Sequence, residues 1–138
     1  AVTGLPAGER WLASLFQVMS ASTTVGFNTL PIDTLSAASV LLLTTAMIIG
    51  ASPAGTGGGL KTTTLSALWG VMVGTIRRRA RPTFWGREIP EVRVRAAMAQ
   101  ATFYALVLAA GAYGLALLEK APLPDLVFEA ASALGTVG

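Results

Sequence analysis

Apolar positions fall in blocks along this chain, and short polar or glycine-rich breaks separate them. The first block, from Arg10 to Ser22, is apolar but too short to span a bilayer as helix, which takes roughly 20 residues. It predicts a re-entrant half-helix. Thr23-Thr24-Val25-Gly26-Phe27-Asn28-Thr29 follows, where β-branched residues favour extended backbone and Gly26 permits a conformation that other residues resist. Pro31 and Asp33 predict a turn. Between Ala37 and Ile76 there is no acid and one base, Lys61. At ~1.5 Å per residue this stretch would form a continuous helix of about 60 Å, twice the ~30 Å hydrocarbon layer. Gly50-Ala51-Ser52-Pro53-Ala54-Gly55-Thr56-Gly57-Gly58-Gly59 supplies the break, with five glycines and a proline. The pattern predicts two helical halves, Ala37 to Ile49 and Leu60 to Ile76, joined by irregular backbone. Unpaired N–H and C=O groups at membrane depth are tolerated only inside protein or beside a wet cavity.

Residues 77–95, with Pro82 and Pro90 as breakers and Trp85 as an interfacial anchor, read as a connection between spans. Ala96 to Leu118 is a charge-free second span, and Ala109, Ala110, Gly111, Ala112 and Gly114 suit close helix packing. Glu119, Lys120 and Pro122 end it. Pro124 to Leu134 is another apolar helix too short to cross, with Pro at its first position and Asp125 in its first turn. Gly135-Thr136-Val137-Gly138 closes the chain. A short helix followed by Thr-Val-Gly therefore occurs twice, over residues 10–26 and 124–138, with an inward and an outward crossing between them. Both copies enter from the same outer face.

Composition agrees with this pattern. Hydrophobic residues make up 53% of the chain, charged residues only 12%, and mean hydropathy is +0.63. That is more apolar surface than one soluble domain of 138 residues hides, so lipid is the expected solvent. Eight of the ten basic residues are Arg, and Arg77, Arg78, Arg79, Arg81, Arg87, Arg93 and Arg95 share one segment. Such a band beside membrane spans marks the cytoplasmic side, and Glu88 and Glu91 do not cancel it. No basic or aromatic pattern continues outside the band, as a nucleic-acid surface would require. The chain has no Cys and no His, which removes thiolate metal sites and the usual general base. Residues 1–10 do not read as a signal peptide, and the two ends read as cuts from a longer chain.

The duplicated Thr-Val-Gly carries the chemistry. A dehydrated monovalent cation needs several oxygen ligands, and backbone carbonyls of Thr24-Val25-Gly26 and Thr136-Val137-Gly138 can replace its hydration shell, as the Thr-Val-Gly-Tyr-Gly loops of potassium channels do. The carbonyl end of each preceding helix adds roughly half a negative charge facing the ion. Phe27 is expected to pack the filter from behind, with Asn28 bonding its backbone. Glu129 lies mid-helix, either behind the filter or on the outer surface. Ser52, Thr56 and the amides of Gly55 to Gly59 either form a hinged plug that can obstruct a cavity and still move, or make a helix kink that only relieves packing. Lys61 either lines the cavity, pairs with a carboxylate or carbonyl, or snorkels.

Two other function classes fit parts of the pattern. Gly55-Thr56-Gly57-Gly58-Gly59-Leu60-Lys61-Thr62 looks like a phosphate-binding P-loop of a nucleotide hydrolase, but position 60 is Leu where that loop needs Gly before the Lys. A non-conducting membrane scaffold explains the spans but not the two re-entrant units.

Phe16-Gln17 leading to Thr24-Val25-Gly26-Phe27-Asn28, the stretch from Ile48 through Gly57-Gly58-Gly59-Leu60-Lys61-Thr62-Thr63, and Phe128 to Gly138 resemble the Trk/Ktr/HKT superfamily of K⁺ transporters over essentially the whole chain. The resemblance implies an all-α membrane protein with K⁺-channel-like helix–pore helix–helix repeats, re-entrant pore helices and a broken second helix. In that family four repeats surround one pore. Residues 1–76 correspond to the pore helix, filter and gate helix of the third repeat, residues 77–95 to a cytoplasmic connection, and residues 96–138 to the first helix, pore helix and filter of the fourth. Gly26 and Gly138 become filter glycines, and Gly50, Ser52, Gly55, Thr56, Gly57, Gly58, Gly59 and Lys61 the intramembrane gating loop. The family commonly has Pro-Arg-Thr-Ala-Gly where this chain has Ser22-Thr23-Thr24-Val25-Gly26. Also implied are K⁺, or Na⁺, as the transported ion at the filter carbonyls, with no cofactor in this chain. A multi-pass place in the cell's inner membrane, surrounded by lipid and the rest of the pore subunit, follows. So does a homodimer resting on a cytoplasmic nucleotide-binding ring through the face of Arg77, Arg78, Arg79 and Arg81, with no nucleic-acid partner.

Overall fold

The computed structural model describes residues 6–50, 57–78 and 81–138. Its elements, in chain order, are α1 (Ala7–Ser22), a single 3₁₀ turn (Ile32–Thr34), α2 (Ala37–Ile48), α3 (Thr62–Ile76), β1 (Thr83–Phe84), β2 (Arg87–Glu88), α4 (Glu91–Leu118) and α5 (Leu123–Gly135). The chain is mostly helical, and every apolar block of the sequence is a helix.

Local chemistry sets the helix ends. Ser36 caps α2, its hydroxyl accepting the Ser39 N–H at 3.3 Å. Within α2, Thr44 and Thr45 donate to the carbonyls of Val40 and Leu41 at 2.8 Å, so two hydroxyls are satisfied inside an otherwise apolar helix. Pro122 caps α5, which puts Pro124 at the second helical position and not the first. The backbone N–H missing there is one the first turn leaves unpaired anyway.

Two features depart from the pattern-based expectation. The segment before α4 is not wholly irregular: β1 and β2 pair antiparallel, Thr83 opposite Glu88 and Phe84 opposite Arg87. Trp85 and Gly86 form the two-residue turn with φ of 50° and 76°, the left-handed pair whose twist matches a hairpin. This ribbon is an addition to the all-helical reading. It packs on α3 at Gly70, where a Cβ would come within 2.7 Å of Ile89 Cδ1. The second departure is at the start of α4, which begins at Glu91 and carries Arg93 and Arg95 on helix. Pro90 precedes it, and Glu91 pairs with Arg95 one turn on at 2.6 Å.

α4 is long and apolar enough to cross a membrane, and only 6% of its apolar window is buried; α2 and α3 are shorter apolar helices. Large apolar side chains such as Leu41, Phe103 and Leu117 are about two-thirds exposed, at 68%, 70% and 69%. Water alone does not favour that distribution. The buried centre is small: Ala21 of α1, Leu43 and Met47 of α2, and Val137 after α5, flanked by Val18, Leu35, Ala46 and Phe128. It lies directly behind the two loops that leave α1 and α5. α3 lies against α4, where Thr64 donates to Gln100 Oε1 at 2.7 Å.

Candidate functional site

Both short helices end in the same backbone motif. After α1, Val25 N–H reaches back to the Ser20 carbonyl at 3.0 Å and Thr24 N–H to Ala21 at 3.3 Å. After α5, Val137 N–H reaches Ser132 at 2.9 Å and Thr136 N–H reaches Ala133 at 3.2 Å. This is the paired bonding of a Schellman cap, which requires a left-handed residue just past the helix. Glycine usually stands there. Here it is Thr24, with φ of 59°, and Thr136, with φ of 57°. The left-handed conformation costs an L-residue roughly 1–2 kcal/mol, and more crowding for a β-branched one. The chain holds that strain twice, in register.

The expectation of extended Thr-Val-Gly is therefore corrected. Each copy alternates: Thr at positive φ, Val at negative φ, then Gly26 at 77° and Gly138 at 91°. In an extended strand successive carbonyls point to opposite sides. Alternating the sign of φ turns the peptide planes so that several carbonyls can face one side, and helix closure against the cap drives the first reversal.

The two copies meet in space. A Cβ placed on Gly26 would overlap the Val137 carbonyl oxygen, so only glycine permits the approach. The side chains diverge, since Val137 is buried in the core while Val25 is 54% exposed. Phe27, expected behind the filter, is 69% exposed. The Asn28 side chain bonds Gln17, whose Nε2 donates to Asn28 Oδ1 at 2.9 Å. Glu129 is exposed. Ser132 Oγ donates to the Gly138 carbonyl at 3.3 Å. Gln17 and Ser132 lie in stretches that carry the resemblance, but the sequence gives neither a site role. The signal for Gln17 was available, because a polar side chain sits inside the apolar face of a half-helix.

The described part of the glycine-rich break, Gly57–Leu60, lies against the second copy. Gly58 N–H donates to Thr136 Oγ1 at 3.3 Å, and a Cβ on Gly58 would overlap the Gly135 carbonyl. Gly59, with φ of 77°, would bring a Cβ within 2.6 Å of the Gly50 Cα, and Leu60 N–H donates to the Ile48 carbonyl at 2.8 Å. Lys61 precedes α3 and turns back on its own loop, Nζ donating to the Gly57 carbonyl at 2.7 Å. Of the three roles open to it, the carbonyl partner is one it takes. A phosphate cradle needs free loop amides, and the Gly58 and Leu60 amides are already spent. Ser52, Gly55, Thr56 and Arg79 lie outside the described residues. Arg77, Arg78 and Arg81 are exposed at the far end of α3, Arg81 pairing with Glu88 at 2.9 Å.

A family model described as TrkH, cation transport protein, matches residues 1–138. The Ktr system potassium uptake protein B of Vibrio alginolyticus is 31% identical over 134 residues, 97% of this chain and 29% of the relative. Its counterpart in Bacillus subtilis is 30% identical over 130 residues, 94% of this chain and 29% of the relative. The Ktr system potassium uptake protein D of Bacillus subtilis is 32% identical over 136 residues, 96% of this chain and 30% of the relative. The chain thus spans less than a third of the length of these relatives.

Proposed function

This chain belongs to the TrkH family of cation transport proteins, and from that footing we propose that it supplies two of the carbonyl-bearing segments and the gate of a membrane path for potassium. The observation that carries the proposal is the twin Thr-Val-Gly turn. Each stands at the carbonyl end of a short helix, each has the same alternation of φ, and the two touch through Gly26 and Val137. Carbonyls of Thr24, Val25, Gly26, Thr136, Val137 and Gly138 replace water around K⁺ while the ends of α1 and α5 add negative potential. Relatives bear the name potassium uptake protein, which favours K⁺ as the cargo. An inside-negative membrane drives it inward at ~2.3 kcal/mol per charge for each 100 mV, so transport needs no chemical step in this chain.

The glycine-rich loop is the gate. Its Gly58 amide rests on the Thr136 hydroxyl, which is where a plug touching the filter from one side would sit. Gly50, Gly57, Gly59 and Lys61 hold its described part, and Ser52, Gly55 and Thr56 complete it. Asn28, held by Gln17, supports the filter, while the exposed Glu129 takes the outer-surface alternative. The relatives' names place them in a Ktr system, and the proposed partners follow: the rest of the pore, a second pore subunit, and a nucleotide-binding ring docking on the arginine face from Arg77 to Arg81. Surrounding lipid at the cell membrane covers α4.

The test is growth of a K⁺-uptake-deficient host at low K⁺, with the full-length protein carrying Gly26→Ser or Gly138→Ser. Both substitutions place a side chain at positive φ, and loss of growth with normal membrane insertion is expected. Growth unaffected by either would remove the filter assignment. Deleting Gly55 to Gly59 should raise flux and loosen regulation, whereas a folded but silent transporter would count against the plug.

A further inference from the structure

Gln17 lies on the buried side of α1 with 5% of its surface exposed, two turns before the loop it holds. Its Nε2 donates to Asn28 Oδ1 at 2.9 Å, and its Oε1 accepts the Thr29 N–H at 3.1 Å and the Thr29 hydroxyl at 3.4 Å. One amide therefore grips the loop just past Gly26 through both of its atoms. The helix cap grips the same loop just before Gly26, through Val25 N–H on Ser20. Between these two points are Gly26, wedged against the Val137 carbonyl, and the exposed Phe27. Ser20, one turn on from Gln17, is also buried, so the buried side of α1 beneath the loop carries two polar side chains.

We propose that Gln17 is a positioning residue for cation discrimination: its amide fixes the outer end of the first Thr-Val-Gly turn, and with it the spacing of the carbonyls that meet the ion. The inference rests on the filter reading above. Whether preference for K⁺ comes from cavity size or from the number of carbonyls in place, it requires a loop whose carbonyls do not wander. The bonding is directional. A carboxamide both donates and accepts, and Asn28 meets it as an acceptor. An aspartate at position 28 would accept from Nε2 as well, whereas a glutamate at position 17 would lose the donor. With both changed, two carboxylates would face each other where donor and acceptor now stand 2.9 Å apart.

The experiment measures Rb⁺ uptake by the full-length protein, and its competition by Na⁺, per molecule inserted in the membrane. Gln17→Ala removes all three of these bonds and is expected to lower the K⁺-over-Na⁺ preference by at least about ten-fold, the order of one net hydrogen bond, while Asn28→Asp keeps it. Gln17→Glu combined with Asn28→Asp should lose more than the two single changes together. An inserted Gln17→Ala protein with unchanged preference would overturn the proposal, as would a double variant no worse than Gln17→Glu alone. Should Gln17→Ala not reach the membrane, Asn28→Ala decides on an exposed side chain: a fall in preference supports the clamp, and no fall refutes it. Gly26→Ser in the same assay separates the two ideas. If it shifts preference and the Gln17 and Asn28 variants do not, the clamp fails alone; if Gly26→Ser does nothing, the filter reading fails with it.

Discussion

Gly26 and Gly138 both sit where glycine is favoured, and replacing Gly26 by Ala should cost more than that conformation alone. At both, the backbone sits at positive φ, 77° and 91°, so an L-residue costs roughly 1–2 kcal/mol at either site. Taken alone, that lowers the population of the competent loop by a factor of roughly 5–30. At Gly26 the added carbon would overlap the Val137 oxygen and stand 3.1 Å from the Val137 carbon. Ordinary contact requires that carbonyl, or the Gly26 backbone, to retreat by roughly 1.5 Å. Functional constellations tolerate about 0.5 Å. Gly26→Ala should therefore reduce Rb⁺ uptake by more than the roughly 5–30-fold that the backbone strain alone gives, with impaired K⁺-over-Na⁺ preference. The assay is initial uptake rate per inserted molecule at several Rb⁺ concentrations with Na⁺ as competitor. A loss no larger than roughly 5–30-fold, with unchanged preference, would refute the claim that the two turns are held in contact by the absence of a side chain.

Other expectations concern the loop and the surface. Thr136→Val removes the acceptor of the Gly58 N–H. A net hydrogen bond of about 0.5–1.5 kcal/mol should appear as a few-fold rise in unregulated Rb⁺ leak, measured in inverted vesicles or whole cells. Lys61→Met takes away the charged donor on the Gly57 carbonyl, a bond of the ~1.5–3 kcal/mol class. It should raise leak more than Thr136→Val does; an unchanged leak would show that the loop is held by packing alone. Glu91→Ala breaks a pair whose side chains are both 77% exposed, so uptake should stay at the wild-type level and thermal stability should change by less than about 0.5 kcal/mol, read by melting of the detergent-purified protein.

Much of the architecture was legible along the chain because it depends on neighbours in sequence. Apolar blocks of a given length become helices of that length, and Ile48 and Thr62 bracket the glycine-rich break closely to where Gly and Pro disfavour helix. The ribbon at Thr83–Glu88 is not legible in the sequence, since strands of two residues have no periodicity and the Trp85–Gly86 turn lacks the usual Asn or Asp. The start of α4 at Glu91 lies five residues before the apolar block because hydropathy marks the apolar part of a helix and not its charged first turn.

The duplication of Thr-Val-Gly after a half-helix, the apolar character and the arginine band belong to the sequence itself, since composition and local spacing suffice to define them. The left-handed threonines, the contact of Gly26 with Val137, the seating of Gly58 on Thr136 and the hold of Gln17 on Asn28 and Thr29 belong to the tertiary structure. Local preference for β-branched residues points toward extended backbone, and it is overruled only when helix caps and packing between distant segments together outweigh a strain of roughly 1–2 kcal/mol per threonine. Such a balance exists only once α1, α2 and α5 have come together.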